Sequence, residues 1–329
     1  MNFPQLMALA SGHAEARIVQ TALRLGIFEE LDKAPQRAAD VAEHLDLEPR
    51  ATELLLNALT ALQVLNQHEH HFSLCDAARR YLVQSSPEYV GGMIRFEDSL
   101  WRCWEKLPEA IRSGAPARPT NMYQDDPYET EIFIKAMDSL VKARGDADLL
   151  VHAFNWQKVA DLLDLGAGPA TYAIALCKQF ANIQATIFDL PGTLKITERY
   201  VRDSGMVKRI RLFPGDYRTD EIPGQYDVVF LSNIVHGEDE RTNEMLIGKL
   251  ARNLKPAGQI IVKDHILDDS RTDPPVGAIF SLLMLLTTAG GRCYSFTEIK
   301  GWMDRAGLGQ ICRIDLPPPL TSSLVVAGR

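Results

Sequence analysis

The segment Leu162-Leu163-Asp164-Leu165-Gly166-Ala167-Gly168-Pro169-Ala170 constrains this chain more than any other. An apolar run of strand length ends in two glycines, and helical spacing follows at once with Tyr172, Ile174, Ala175, Leu176 and Phe180. A strand, a tight Gly-x-Gly turn and a helix place backbone N–H groups at a helix N-terminus, where they face a ligand. Glycine is needed because a side chain would block the close approach, and one position is expected to require positive φ.

The spacing selects the ligand. A dinucleotide fingerprint requires Gly-x-Gly-x-x-Gly, and the third position of that pattern is Thr171 here. This disfavours a nicotinamide dehydrogenase. The pattern is acid-x-Gly-x-Gly-x-Ala, with Asp164 two residues ahead of Gly166. It resembles the form used by S-adenosylmethionine-dependent methyltransferases, where no pyrophosphate has to be cradled. Ala185–Phe188 reads as the next strand and ends at Asp189, about 20 residues on, where a ribose diol is held.

From Val159 onward strands and helices alternate, which implies a mostly parallel sheet. Strands are expected at 161–165, 185–188, 210–214, 226–232 and 259–263, with a further pair near 310–314 and 323–327. Helices between them include 193–204 and 241–254. In open α/β sheets the ligand sits outside the carboxyl ends of the strands. Five polar clusters fall there: Asp164 to Gly168, Asp189, Gly215-Asp216-Tyr217, Ser232 to His236, and Asp264-His265.

Residues 1 to about 83 read differently, as helices with a winged-helix ending. Ile18, Ala22, Leu25 and Phe28 share helical spacing, with Gly26 loosening the end. A second helix is expected over 38–47 and a third over 51–65, with Leu55, Leu59 and Leu62 on one face. A short hairpin follows over 66–74. DNA recognition would need exposed Arg, Lys, Asn or Gln on the third helix. That helix is mainly Leu and Ala, so a dimerisation role fits better. His68, His70 and His71 read as a solvated hairpin tip rather than a metal site, because no cysteine or paired carboxylate stands at ligand spacing. Residues 90–155 are helical and aromatic, with Phe96, Trp101, Trp104, Tyr123, Tyr128, Phe133, Phe154 and Trp156.

Composition excludes several partners. The net charge of −8 argues against a phosphate backbone, which calls for a basic face. No apolar run approaches the roughly 18 residues of a membrane span, and no signal peptide is evident. Five scattered cysteines without a Cys-x-x-Cys pair suggest reduced thiols in a cytoplasmic protein.

With these residues in place, the chain resembles the O-methyltransferases that include the caffeic acid, acetylserotonin and bacterial tailoring enzymes. The resemblance rests on Leu-Leu-Asp-Leu-Gly-Ala-Gly, on Phe188-Asp189-Leu190-Pro191, on Gly215-Asp216-Tyr217, and on Asn233-Ile234-Val235-His236 followed by acids. It implies a Rossmann-like α/β class I methyltransferase sheet over 106–329, with 106–155 as a helical connector. It also implies an all-helical, winged-helix-like dimerisation domain over 1–105. S-adenosylmethionine is the implied cofactor, without a metal. Its implied contacts are Asp164, Gly166, Gly168, Asp189, Leu190, Asp216, Tyr217 and Ser232. His236 is the implied general base.

Three positions depart from the family pattern. The usual His-Asp-Trp-Ser-Asp-Glu is His236-Gly237-Glu238-Asp239-Glu240, one residue short and lacking the Trp. The cofactor-side Lys four residues before the histidine is Ser232. Of the two glutamates that flank the histidine in plant members, the first corresponds to Asp264, and no acid stands at the second, near Arg292-Cys293.

The need for a base follows from the chemistry. A phenol with a pKa of roughly 10 is mostly protonated at neutral pH, and a histidine near pKa 6.5 can take that proton as transfer proceeds. Asp264 would orient the imidazole; His265 is a rival base. Ile279, Phe280, Leu283, Met284 and Leu286 lie on an apolar helix over 277–288, which lines the acceptor pocket in the family. Phe280 and Met284 are the expected acceptor contacts, and such a wall suits an aromatic or polyketide-like small molecule. The alternative is a regulatory protein that binds S-adenosylmethionine or a nucleoside without turnover.

The Leu-rich third helix generates one expectation for solution behaviour, a homodimer formed through residues 1 to about 100. Light scattering at micromolar concentration should give twice the chain mass; a monomer would contradict the assignment, and tight, salt-sensitive duplex DNA binding would revive a regulator.

Overall fold

The computed structural model describes residues 1–120 and 126–329; Tyr123 lies outside them. The chain divides into two compact units, one of Met1–Leu100 with Lys135–Ala143 and one of Trp101–Ile134 with Arg144–Arg329. Within the helical stretch 106–155, Lys135–Ala143 therefore groups with the N-terminal unit.

The first unit runs α1 (Phe3–Ser11), α2 (His13–Leu25), α3 (Ile27–Lys33), β1 (Gln36–Arg37), α4 (Ala38–His44), α5 (Pro49–Ala61), β2 (Leu65–His68), β3 (His71–Leu74), α6 (Asp76–Leu82) and α7 (Gly91–Ser99). The domain expected to be all-helical carries a small antiparallel sheet of order β1-β3-β2, because Gln36 and Arg37 pair with Phe72 and His71 of the hairpin. Gly26 takes φ 79° and splits the first expected helix, so Phe28 belongs to α3. Both segments still bury one face, with Ala22, Leu23, Ile27, Phe28 and Leu31 in a common core.

The third helix ends earlier than its leucines suggest. Pro49 starts it and the Glu48 carboxylate accepts the Arg50 N–H. It stops at Ala61; Gln63 turns left-handed at φ 61° and Leu65 begins β2. Its buried face is Thr52, Leu56 and Leu59, not the expected Leu55, Leu59 and Leu62, and Leu54 is 57% exposed on the opposite side.

The second unit begins with α8 (Trp101–Glu105), α9 (Leu107–Ser113), part of α10 (Pro127–Arg144) and α11 (Asp146–Ala153). Then follow β4 (Asp161–Leu165), α12 (Thr171–Gln179), β5 (Gln184–Asp189), α13 (Pro191–Asp203), β6 (Ile210–Pro214) and β7 (Tyr226–Ser232). The chain ends with α14 (Glu240–Arg252), β8 (Leu254–Asp264), α15 (Pro275–Thr287), α16 (Phe296–Arg305), β9 (Gly309–Asp315) and β10 (Ser323–Gly328). The sheet order is β6-β5-β4-β7-β8-β10-β9; β4 to β8 are parallel, and β10 is antiparallel to both β8 and β9. Successive strands leave β4 in opposite directions, so the topological switch lies between β4 and β7. Burial from both faces explains the near-continuous apolar runs of β4 and β7. Among the described residues no helix is long and apolar enough to cross a membrane.

One polar knot interrupts this apolar interior. Asp146, fully buried at the start of α11, accepts Arg144 Nε at 3.0 Å and Nη2 at 2.8 Å, Tyr172 Oη at 3.2 Å and Lys263 Nζ at 3.3 Å. Lys263 is also fully buried, and burial pulls its ammonium below the ordinary lysine range. Two cations and a phenol depend on one carboxylate. Asp146→Ala should therefore cost about 3–5 kcal/mol, the penalty for orphaning buried charge, in urea denaturation. A loss within the range of an ordinary surface change would show that water already serves these groups.

Candidate active site

At the carboxyl end of β4 the expected turn is present. Gly166 and Gly168 both have positive φ, 63° and 55°. The left-handed φ of Gly166 is what favours glycine there, and a Cβ would also lie 2.5 Å from Ile234 Cδ1, which would have to move. Gly168 has open space around the same vector. Its N–H donates to Asp189 Oδ2 at 2.9 Å, and the Leu190 N–H donates to Asp189 Oδ1 at 2.7 Å. The acid of the second strand is thereby locked onto the glycine turn. Burial raises its pKa to about 6 despite these hydrogen bonds. Asp164, 1% exposed beneath the turn, is pushed to about 8, first by burial and then by the Asp189 charge. Its Oδ2 has no hydrogen-bond partner among the described residues.

Asp216 and Tyr217 follow β6. Asp216 Oδ1 accepts the Arg218 N–H at 2.9 Å and Nε at 3.0 Å, while Oδ2 accepts Nε at 3.2 Å and Nη2 at 3.0 Å. Tyr217 Oη donates to Glu238 Oε1 at 2.7 Å. A cavity of about 380 Å³, within the usual range for ligand sites, brings Asp189, Leu190, Asp216, Tyr217, Asn233 and Glu238 together. Ser232 ends β7, in register with Lys263, and its buried Oγ has no hydrogen bond of normal geometry. It does not line this cavity.

His236 sits in a short 3-10 turn, Val235–Gly237, just after β7. Its Nδ1 lies 2.8 Å from Asp264 Oδ1, at the end of the adjacent strand β8, and its backbone N–H reaches Asp264 Oδ2 at 3.3 Å. Asp264 also accepts the His265 N–H at 2.7 Å. Burial alone would raise this carboxyl, but His236, His265 and these hydrogen bonds outweigh it and hold it below its ordinary range. An ionised carboxylate only accepts, so the proton belongs on His236 Nδ1 and the Nε2 lone pair is left for chemistry. The imidazole side chain is 12% exposed.

Phe280 of α15 packs edge-on against His236, ring centroids 4.9 Å apart, and lies 5.1 Å from the His265 ring. The rival histidine is spent elsewhere. His265 Nδ1 lies 2.9 Å from the Thr321 carbonyl oxygen, to which it donates, and burial lowers its pKa. Met284 is 7% exposed on the same helix as Phe280. Ile279, grouped with them by sequence, is 61% exposed and faces away from that core.

Several supporting residues escaped the sequence. Asn243 Nδ2 donates to the Val235 carbonyl at 2.8 Å and the Glu238 carbonyl at 3.3 Å, and Tyr294 Oη donates to the latter at 2.7 Å. Together they pin both flanks of His236. Gly291 closes in from the other side: a Cβ there would lie 2.2 Å from His236 O. Asn243 falls on the buried face of α14 with Leu246, Ile247 and Leu250. A lone polar residue on an apolar stripe was the available signal. Among the described residues no group of His, Cys, Asp and Glu is arranged to hold a metal.

Comparison with known proteins agrees with this geometry. The O-methyltransferase domain family matches residues 104–309, and the O-methyltransferase dimerisation domain family matches 7–84. A 3-hydroxy-5-methyl-1-naphthoate 3-O-methyltransferase of Streptomyces sahachiroi is 28% identical over 329 residues, covering 98% of this chain and 94% of the relative. A tetracenomycin polyketide synthesis 8-O-methyl transferase of Streptomyces glaucescens is 30% identical over 312 residues, covering 93% and 91%. The solved structure of PigF with SAH has the same fold, with a TM-score of 0.91 at 24% identity and both chains fully covered. The chain belongs to the S-adenosylmethionine-dependent O-methyltransferases.

The buried Asp164 makes stability depend on pH. Its folded pKa of about 8 lies above the roughly 3.9 of an unfolded chain. The folded state therefore holds the proton that the unfolded state has lost, and this contribution fades as pH rises through about 8. Asp164→Asn removes the dependence. In urea titrations of ligand-free protein, the stability of the variant relative to wild type should grow between pH 5 and 8, by up to about 1.4 kcal/mol per pH unit. Parallel profiles would mean that Asp164 stays ionised.

Proposed function

We propose that this chain methylates a hydroxyl of a small aromatic or polyketide-like acceptor, with His236 as general base, and that it works as a homodimer through its N-terminal domain. The observation that carries the proposal is the 2.8 Å contact of His236 Nδ1 with a buried, ionised Asp264. The acceptor class is supported by the printed activities of the naphthoate and tetracenomycin relatives. Phe280 beside His236 and Met284 on the same helix suit a planar, apolar acceptor.

The residues present fit the cofactor. Asp164, Gly166, Gly168, Asp189 and Leu190 form the cradle for its ribose and adjoining chain, with the buried, unpartnered Asp164 Oδ2 as an acceptor for a donor group of the ligand. Tyr217 and Asp216 line the same cavity as Asp189 and would face the adenine. Ser232, paired with Lys263 on the sheet, does not line this cavity, and no cofactor contact is assigned to it. When bound, S-adenosylmethionine supplies an electrophilic methyl group.

The chain's own residues do the rest. His236 Nε2 accepts the acceptor's hydroxyl proton as the oxygen becomes nucleophilic. Asp264 keeps the other proton on Nδ1 and supports the imidazolium that forms, an arrangement that needs only the two strand ends to be adjacent. Phe280 restricts the imidazole plane, and burial around it limits water. Placement of the acceptor supplies the remaining gain.

Removing the base separates these contributions. His236→Ala should lower kcat by roughly 10²-fold or more with cofactor affinity nearly unchanged. Asp264→Asn should cost less, and the double variant should cost less than the product of the two defects. An acceptor already ionised at assay pH should partly rescue His236→Ala. Near-normal turnover of that variant on an ordinary phenol would reduce His236 to a strand-end residue.

A further inference from the structure

The cavity beside Asp189 holds an acid for which the cofactor-binding pattern supplies no role. Of the carboxylates that line it, Asp189 is taken up by the Gly168 and Leu190 N–H groups. Asp239 is exposed and caps α14, Oδ1 accepting the Thr242 N–H at 2.7 Å. Asp216, the expected acceptor for the adenine amine, is committed on both oxygens to Arg218 by four contacts of 2.9–3.2 Å. A carboxylate offers about four lone-pair sites, so little capacity is left.

Glu238 is different. Its Oε1 accepts only Tyr217 Oη, and Oε2 has no hydrogen bond among the described residues. The backbone that carries it is fixed, because its carbonyl takes both Tyr294 Oη and Asn243 Nδ2. Tyr217 is held in turn, its carbonyl accepting Lys249 Nζ at 2.9 Å and its ring lying 5.9 Å from the Arg218 guanidinium carbon. The result is an aromatic ring hydrogen-bonded to a positioned carboxylate with one oxygen unspent. Glu238 stands two residues after His236, in a segment one residue shorter than the family pattern and lacking its Trp.

We infer that Glu238, not Asp216, reads the base of the cofactor: Oε2 accepts from the exocyclic amine of adenine, while Tyr217 holds Oε1 and covers the ring. This rests on the proposed cofactor site. It makes Glu238 a specificity-determining residue with a defined preference. A 6-amino purine donates to a carboxylate, whereas a 6-oxo purine presents an acceptor to it and is repelled.

Calorimetry on the full-length protein tests this with S-adenosylhomocysteine and its 6-oxo analogue S-inosylhomocysteine. Wild type should bind the adenine compound at least 10-fold more tightly. Glu238→Gln, whose amide can both accept and donate, should bring the two affinities to within about 3-fold while the thermal midpoint stays close to wild type. Tyr217→Phe should weaken the preference in the same direction, and Asp216→Asn should leave it unchanged. Loss of the preference in Asp216→Asn with retention in Glu238→Gln would overturn the inference in favour of Asp216. So would an equal loss of both ligands in Glu238→Gln. Failure of wild type to bind S-adenosylhomocysteine would overturn the cofactor site itself, and this inference with it, a result readily told from a variant that binds but no longer discriminates.

Discussion

A single buried carboxylate, Asp264, ties the proposed base, His236, to the sheet. It ends β8 at 1% exposure, where an unpaired charge would be costly, and it is kept ionised by three N–H donors from His236 and His265. Two of those donors belong to His236, one from the ring and one from the backbone. The carboxylate therefore fixes both the tautomer of the imidazole and the path of the loop that carries it. The loop cannot drift without uncovering the charge. Asn243, Tyr294 and the close approach of Gly291 reinforce the same constraint from the other flank.

The electrostatics on the cofactor side run the other way. Asp164 and Asp189 are raised, to about 8 and about 6, because burial is not matched by enough donors in the ligand-free protein. Asp264 is depressed because its donors are complete. The difference separates a carboxylate whose donors are complete within the chain from two whose donors are not. A cationic ligand with hydroxyl donors would lower both, and the proposed cofactor carries such groups.

The glycine turn, Asp189 and the strands that frame them were legible in the sequence because each has a local cause. Two glycines after an apolar run leave few alternatives, and Asp161–Leu165, Ile210–Pro214 and Tyr226–Ser232 fall where alternation of strand and helix placed them. His236 and Asp264 were legible as strand-end residues. Their pairing was expected on the same ground, and the 2.8 Å contact follows from β7 and β8 being neighbours although α14 separates them in the chain. The misreadings were matters of phase and reach. Leu62 kept helical spacing although the helix ends at Ala61 and Gln63 turns left-handed, and Ile279 shares a helix with Phe280 but faces solvent.

The sequence by itself determined the fold class, the glycine turn and the residue types of the proposed site, because hydrophobic period, glycine and acid spacing act over a few residues. Only the tertiary structure decided which acids are spent and which are open. Asp216 lies two residues from the Arg218 that takes up its oxygens, and Glu238 is left with one free oxygen beside Tyr217, 21 residues away. Asp146 gathers Lys263 from 117 residues away into the buried core. Such assignments depend on which strands and helices become neighbours, and that is set by closing the whole sheet around one core.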